Sequence, residues 1–274
     1  MMLGKKVRIE RVMDRNTKKT VIIPLIHGVG MGPIEGIRDI RNCVDTMALG
    51  GANAVILHKG IVSSAHRRSG KDIGLIIHLT ATSKDHRQTL VTEVEEAVQL
   101  GADAVSVRIS IGGEDEPEML DILGLVARDA AHWGMPLFAL MDPGEEKDRQ
   151  KQILGVMRAA RIGAELGADV VRVPYTGDAE SFAEVVSVCP VPVVAIGGEK
   201  KARDRDILDV IHGAMSAGAY GVSMGRNVFQ YDKPGNMIKA ISLMVHRGVG
   251  PDVAAKSLEE AAIQGATFGT GVIW

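Results

Sequence analysis

Gly167-Ala168-Asp169-Val170-Val171-Arg172-Val173-Pro174 is one of four related phrases in this chain. The others are Gly51-Ala52-Asn53-Ala54-Val55, Gly101-Ala102-Asp103-Ala104-Val105 and Gly218-Ala219-Tyr220-Gly221-Val222. Each follows apolar residues at helical spacing and opens an apolar run. Glycine at such a point ends a helix in a left-handed cap, and a Val-rich run after it suits a strand covered on both faces. Four helix-to-strand junctions imply a repeated strand–helix unit.

Filling the intervals gives eight expected strands, near residues 21–27, 54–58, 74–79, 104–109, 136–141, 170–173, 192–196 and 221–224. Helical spacing recurs over 92–100, 116–132, 148–166, 204–217 and 234–246, the last with a proline at its first turn. Residues 59–71 are polar without a helical face and read as an excursion above the strands. This alternation predicts an α/β protein, a single (β/α)8 TIM barrel over residues 1–274. An extension of about residues 1–19 and a tail of about 250–274 flank it. A doubly wound sheet is the runner-up. Its fingerprint fits poorly here, because Pro33 interrupts His27-Gly28-Val29-Gly30-Met31-Gly32 and no acidic ribose ligand follows a second strand.

A net charge of −2 and 3% aromatic residues argue against a nucleic-acid surface. No apolar run reaches membrane-spanning length, and the start is too polar for a secretory leader. The two cysteines, Cys43 and Cys189, lie in apolar stretches without metal-ligand spacing, as core thiols of a reducing compartment do. The expectation is a cytoplasmic protein with neither nucleic acid nor membrane as partner.

In a barrel the functional groups stand where strands run out into loops. Those positions hold His27, His58 and Lys59, His78, Arg108, Asp142, Arg172, the pair Gly197-Gly198, and Gly225-Arg226. Glycines after strands 7 and 8 let backbone N–H groups approach an anion, and Arg226 adds a charge-assisted contact, so a phosphate is expected there. The alternative is that these glycines only make tight turns. His27, His58 and His78 could hold zinc with Asp142 as base, but lack any short paired spacing. Lys59 reads either as a desolvated amine nucleophile or as a lysine reaching solvent or an anionic substrate group. Arg172, a lone cation in a valine-rich strand, reads as half of a structural ion pair or as an active-site cation.

Four longer phrases carry a resemblance. They are Gly51-Ala52-Asn53-Ala54-Val55-Ile56-Leu57-His58-Lys59-Gly60-Ile61-Val62, Gly70-Lys71-Asp72-Ile73-Gly74-Leu75-Ile76-Ile77-His78-Leu79, Tyr175-Thr176-Gly177-Asp178, and Gly225-Arg226-Asn227-Val228-Phe229-Gln230. With them the chain resembles the archaeal-type class I fructose-bisphosphate aldolase family (DeoC/LacD-like aldolases), nearly end to end up to about residue 245. The resemblance implies a phosphorylated, sugar-like substrate anchored at Gly197, Gly198, Gly225 and Arg226. It also implies no metal, no cofactor and a ring-based homo-oligomer. It places the family's Schiff-base lysine at Arg172, a strand-1 aspartate at Ile26 and a strand-5 tyrosine at Asp142. Arginine stays protonated in proteins and forms no imine. Three expectations follow. One is a repurposed lyase with Arg172 as clamp on an oxyanion or carboxylate and Asp142 or His27 as acid/base, or with Arg172 and Asp142 neutralising each other. Another is a catalytically silent phosphometabolite binder. The last is a Schiff-base aldolase using Lys59.

Overall fold

Eight parallel strands close on themselves: β1 (Thr20–Pro24), β2 (Ala54–Leu57), β3 (Gly74–His78), β4 (Ala104–Ser110), β5 (Leu137–Asp142), β6 (Val170–Pro174), β7 (Val193–Ile196) and β8 (Gly221–Ser223). Neighbours pair in chain order, and β8 returns to β1 with Thr20 opposite Gly221. The expected (β/α)8 barrel is therefore the observed fold. The computed structural model describes residues 2–65, 73–82 and 88–258.

The repeated phrase explains how the strands start. Gly51, Gly101, Gly167 and Gly218 all have positive φ, between 77° and 102°, a conformation glycine adopts without a Cβ penalty. The third residue of each of the first three phrases caps the preceding strand. Asn53 accepts the Val21 N–H (2.7 Å), Asp103 that of Leu75 (2.9 Å) and Asp169 that of Leu137 (2.8 Å). The phrase thus ends a helix and satisfies a strand terminus in five residues.

Side chains alternate across each strand. Outward residues such as Val55, Val107 and Val171 join the layer between strands and helices. Inward residues Ile22, Ile56, Ile76, Phe138, Val170 and Val194 fill the lower half of the barrel, all fully buried. The lower end is closed by residues the sequence marks only as an extension. There the helix Leu3–Val12 buries Val12 in that inner cluster, and its Lys5 and Arg11 pair with Asp169 and Asp103. The same capping aspartates hold strand and plug together.

Three features depart from expectation. β1 stops at Pro24, and His27 starts the short helix Gly28–Met31 rather than ending a strand. An antiparallel hairpin, Thr80–Thr82 with Gln88–Leu90, follows β3. Its strands are too short to leave a periodic signal. The excursion begins as the turn Lys59–Ile61 and the helix Val62–Ala65, while residues 66–72 and 259–274 lie outside the described residues. The resemblance's Gly70-Lys71-Asp72 segment and the end of the tail are therefore among those not described. Among the described residues no helix is long and apolar enough to cross a membrane.

Candidate active site

A cavity of about 450 Å³ opens at the C-terminal end of the barrel, between the ends of the strands. Inward positions turn polar at this level: His78 on β3, Ser106 and Arg108 on β4, Asp142 on β5, Arg172 on β6 and Ser223 on β8.

Arg172 forms the floor. It is 2% exposed and pairs in register with Leu140 and Val194. Nη1 donates to Ser106 Oγ at 3.2 Å, and Nε is buried with no partner. Among the described residues no carboxylate pairs with it. Burial lowers its pKa from 12.5 to about 10, which leaves it charged at neutral pH. The neutralising Arg172–Asp142 pair does not form. Asp142 bonds to Arg108 Nη2 at 2.5 Å and accepts the Gly144 N–H at 3.1 Å. The reason is depth, because Arg172 lies beside Leu140, one inward step below Asp142.

Under Arg172 runs a chain of buried neutral groups. Ser106 Oγ lies 3.1 Å from His78 Nδ1, and Thr80 Oγ1 lies 3.3 Å from His78 Nε2. Thr80 Oγ1 accepts the Arg108 N–H at 3.0 Å, so its own proton is available to Nε2. The neutral imidazole then carries its proton on Nδ1 and donates it to Ser106. His78 is held well below the usual histidine range, first by burial and then by His58, Arg172 and Arg108. His58, whose ring centre lies 5.4 Å from that of His78, is lowered mainly by burial. His27 is lowered from 6.5 to about 4 by burial and the nearby Arg226 charge, and its Nδ1 is buried without a partner. Among the described residues no three side chains form a metal cluster, and both ring nitrogens of His78 are engaged.

The rim carries the glycine motifs. Gly197, Gly198, Gly225 and Arg226 all line the cavity. A Cβ on Gly225 would meet the His27 ring at 2.9 Å, and one on Gly197 would meet the Met224 sulfur at 2.2 Å, so both positions require close backbone approach. Arg226 reaches the Gly198 carbonyl at 3.5 Å, and its Nε is buried without a partner. The buried Asn227 fixes this loop, giving its amide to the carbonyls of Gly197 (3.3 Å) and Glu199 (3.0 Å) and accepting the Lys201 N–H (2.7 Å).

The structure thus brings Arg172, Asp142, His27 and the four phosphate candidates to one cavity. Lys59 is not among them. Its ammonium bonds to Glu96 at 2.7 Å on the exposed surface, because successive residues at the end of a strand point to opposite sides and His58 takes the inward one. Sequence reasoning also missed Ser106, Thr80, Ser223 and Asn227. The first was detectable, since a serine two residues before Arg108 in the same strand shares its inward face.

A family model described as "DeoC/LacD family aldolase" matches residues 20–231, from the first residue of β1 to just beyond Arg226. The chain belongs to the DeoC/LacD aldolase family. Within that aldolase family it is 39% identical over 249 residues to "2-amino-3,7-dideoxy-D-threo-hept-6-ulosonate synthase 1" of Archaeoglobus fulgidus, covering 89% of this chain and 92% of the relative. It is 33% identical to the Streptomyces griseus "2-amino-4,5-dihydroxy-6-oxo-7-(phosphonooxy)heptanoate synthase", covering 94% and 96%. The crystal structure of an archaeal fructose 1,6-bisphosphate aldolase superposes with a TM-score of 0.80 at 30% identity, covering 89% of this DeoC/LacD chain and all of the other. A related archaeal structure, at 29% identity, holds its catalytic lysine covalently bound to a carbinolamine intermediate of the substrate.

Proposed function

We propose that this DeoC/LacD aldolase is a carbon–carbon lyase acting on a phosphorylated, sugar-like substrate without a Schiff base. The observation that carries the proposal is Arg172, a buried cation on the cavity floor with no carboxylate partner among the described residues. The resemblance assigns the imine-forming lysine to this position. A guanidinium cannot form an imine, but it can stabilise the enolate that a retro-aldol cleavage produces. In such a step a base takes the proton of the β-hydroxyl and the carbon–carbon bond breaks. Its electron pair passes to the carbonyl oxygen, and the enolate carbon is later protonated. His27, neutral at physiological pH and with an unpartnered Nδ1, can hold that proton. Asp142 is the alternative base, its carboxylate already bonded to Arg108 and to the Gly144 N–H. The phosphate would sit against Gly197, Gly198, Gly225 and Arg226, at the start of the short helix Arg226–Phe229, whose Val228 and Phe229 N–H groups are already taken by the Gly225 carbonyl.

The engaged carboxylate of Asp142 favours a second reading, a silent phosphometabolite binder. Borohydride reduction in the presence of phosphorylated ketoses and aldehydes, followed by intact mass, is run beside a turnover assay. Turnover without a covalent adduct is the expected result. A trapped adduct on any lysine would overturn the proposal, and phosphate-dependent binding without turnover across the panel would select the second reading. A ring-based cytoplasmic homo-oligomer without cofactor belongs to the same proposal, and light scattering checks its size.

A further inference from the structure

The charges that line the cavity do not match one phosphate on the rim. Arg108 is neutralised by Asp142, and the three histidines are neutral, which leaves Arg172 and Arg226 as cations. These two stand at different depths. Arg172 is in register with Val194, one inward step beneath the layer of Ile196 and Ser223, whereas Arg226 follows Ser223 on the rim. A phosphate held at Gly198, Gly225 and Arg226 leaves the floor cation unmet, and an unmet buried cation is costly.

We infer that the floor is a second anion site, built for a carboxylate, so that the substrate carries a carboxylate as well as the phosphoester. The inference rests on the phosphate reading above. Nη1 of Arg172 is committed to Ser106, which leaves the edge formed by Nε and Nη2 to face a ligand. Two parallel N–H groups on one edge match one oxygen of a carboxylate and the adjacent 2-oxo oxygen of a 2-oxo acid, so the same edge still meets the enolate oxygen of the proposed cleavage. Ser223, on the next even-numbered strand, lines the same cavity with a buried Oγ that has no partner and supplies a further donor. The neighbouring walls, Leu140 and Ile196, offer no donors for the remaining oxygens of a tetrahedral phosphate.

Ser106, His78 and Thr80 are positioning residues for this site. All three are buried, and their chain runs from the Arg108 N–H to the guanidinium. None carries a negative charge. They fix the orientation of Arg172 and leave its charge for the ligand.

Calorimetry of the full-length protein with pyruvate and with inorganic phosphate, separately and together, tests the inference. Both ligands bind wild type, and saturating phosphate leaves pyruvate affinity unchanged. Arg172→Gln weakens pyruvate by about tenfold or more while phosphate, which also reports folding, stays within about twofold. Arg226→Gln does the reverse. Ser106→Ala, which removes one hydroxyl and keeps the packing, weakens pyruvate about fivefold and has no further effect in an Arg172→Gln background. Phosphate binding without pyruvate binding overturns the carboxylate site and leaves the phosphate reading standing. Competition between the two ligands also overturns it, since they would share one site. If neither ligand binds, both readings fail. A Ser106→Ala protein with unchanged pyruvate affinity removes the positioning role.

Discussion

At the lower end of the barrel Lys5 lies 2.9 Å from Asp169 and Arg11 lies 2.5 Å from Asp103, and each aspartate also accepts a strand N–H. At the upper end, among the described residues, Arg172 is buried with one neutral partner, Arg226 bonds only to a distant carbonyl, and three imidazoles are kept uncharged. The same strands supply both ends. Among the described residues, the partly exposed Lys5 and Arg11 are given carboxylates and the buried Arg172 is given none. On the proposed reading, charge at the lower end serves stability and charge at the mouth is left for a ligand.

Removing Asp169 should produce the largest effect. Asp169→Ala leaves the Lys5 ammonium and the Leu137 N–H unpaired at a largely buried junction. We expect a loss of about 3 kcal/mol in urea denaturation, with phosphate affinity unchanged. A variant as stable as wild type would break the contrast at its lower end.

Acid should act on the mouth. His27 titrates near 4 in the folded chain and near 6.5 unfolded, so below pH 6.5 the unfolded state binds the extra proton. Stability is therefore full above pH 6.5 and falls as pH drops toward 4. His27 alone contributes about 2 kcal/mol of loss between pH 6.5 and 5, and His58 and His78 act in the same direction. Denaturation midpoints measured across that range should show the slope, and His27→Gln should flatten part of it. An unchanged slope in that variant would mean that the fold does not lower His27 below its unfolded value.

Arg172→Met should have the opposite sign from Asp169→Ala. Replacing an uncompensated buried cation with an apolar chain of similar length should raise stability by about 1–2 kcal/mol while abolishing turnover. A destabilised variant would show that Arg172 belongs to the packing of the fold rather than to the site.

Much of this layout was legible in the chain itself. The Gly-Ala junctions located the strands because helix termination and strand entry are local events, decided within about five residues. Arg172 stood out for the same reason, as a charge in a run of valines. The partner of Asp142 was not legible, since it depends on how deep each inward residue sits, which barrel register decides and local spacing does not. Of the two readings of Lys59, the one that reaches solvent fits its bond to Glu96, and alternation along the strand already separates its direction from that of His58. The plug helix Leu3–Val12 gave little signal, being short and largely polar, with only Leu3, Val7, Ile9 and Val12 as large apolar residues.

The smallest predicted effect separates the rim from the floor. Asn227 is 3% exposed and bonds to three backbone groups between Gly197 and Lys201, yet touches neither Arg172 nor its relay. Asn227→Ala releases that loop at the mouth, where water can take over its carbonyls, so stability should fall by only about 1 kcal/mol. Inorganic phosphate should bind about fivefold more weakly, because the N–H groups that would meet it are no longer held in place. Pyruvate affinity should not change. Asn227→Asp, which keeps the acceptor for Lys201 but turns a carboxylate oxygen toward the Gly197 and Glu199 carbonyls, should weaken phosphate at least as much as alanine. Equal weakening of phosphate and pyruvate by either variant would mean that rim and floor respond as one unit, and the contrast of depth between Arg226 and Arg172 would then have no functional content.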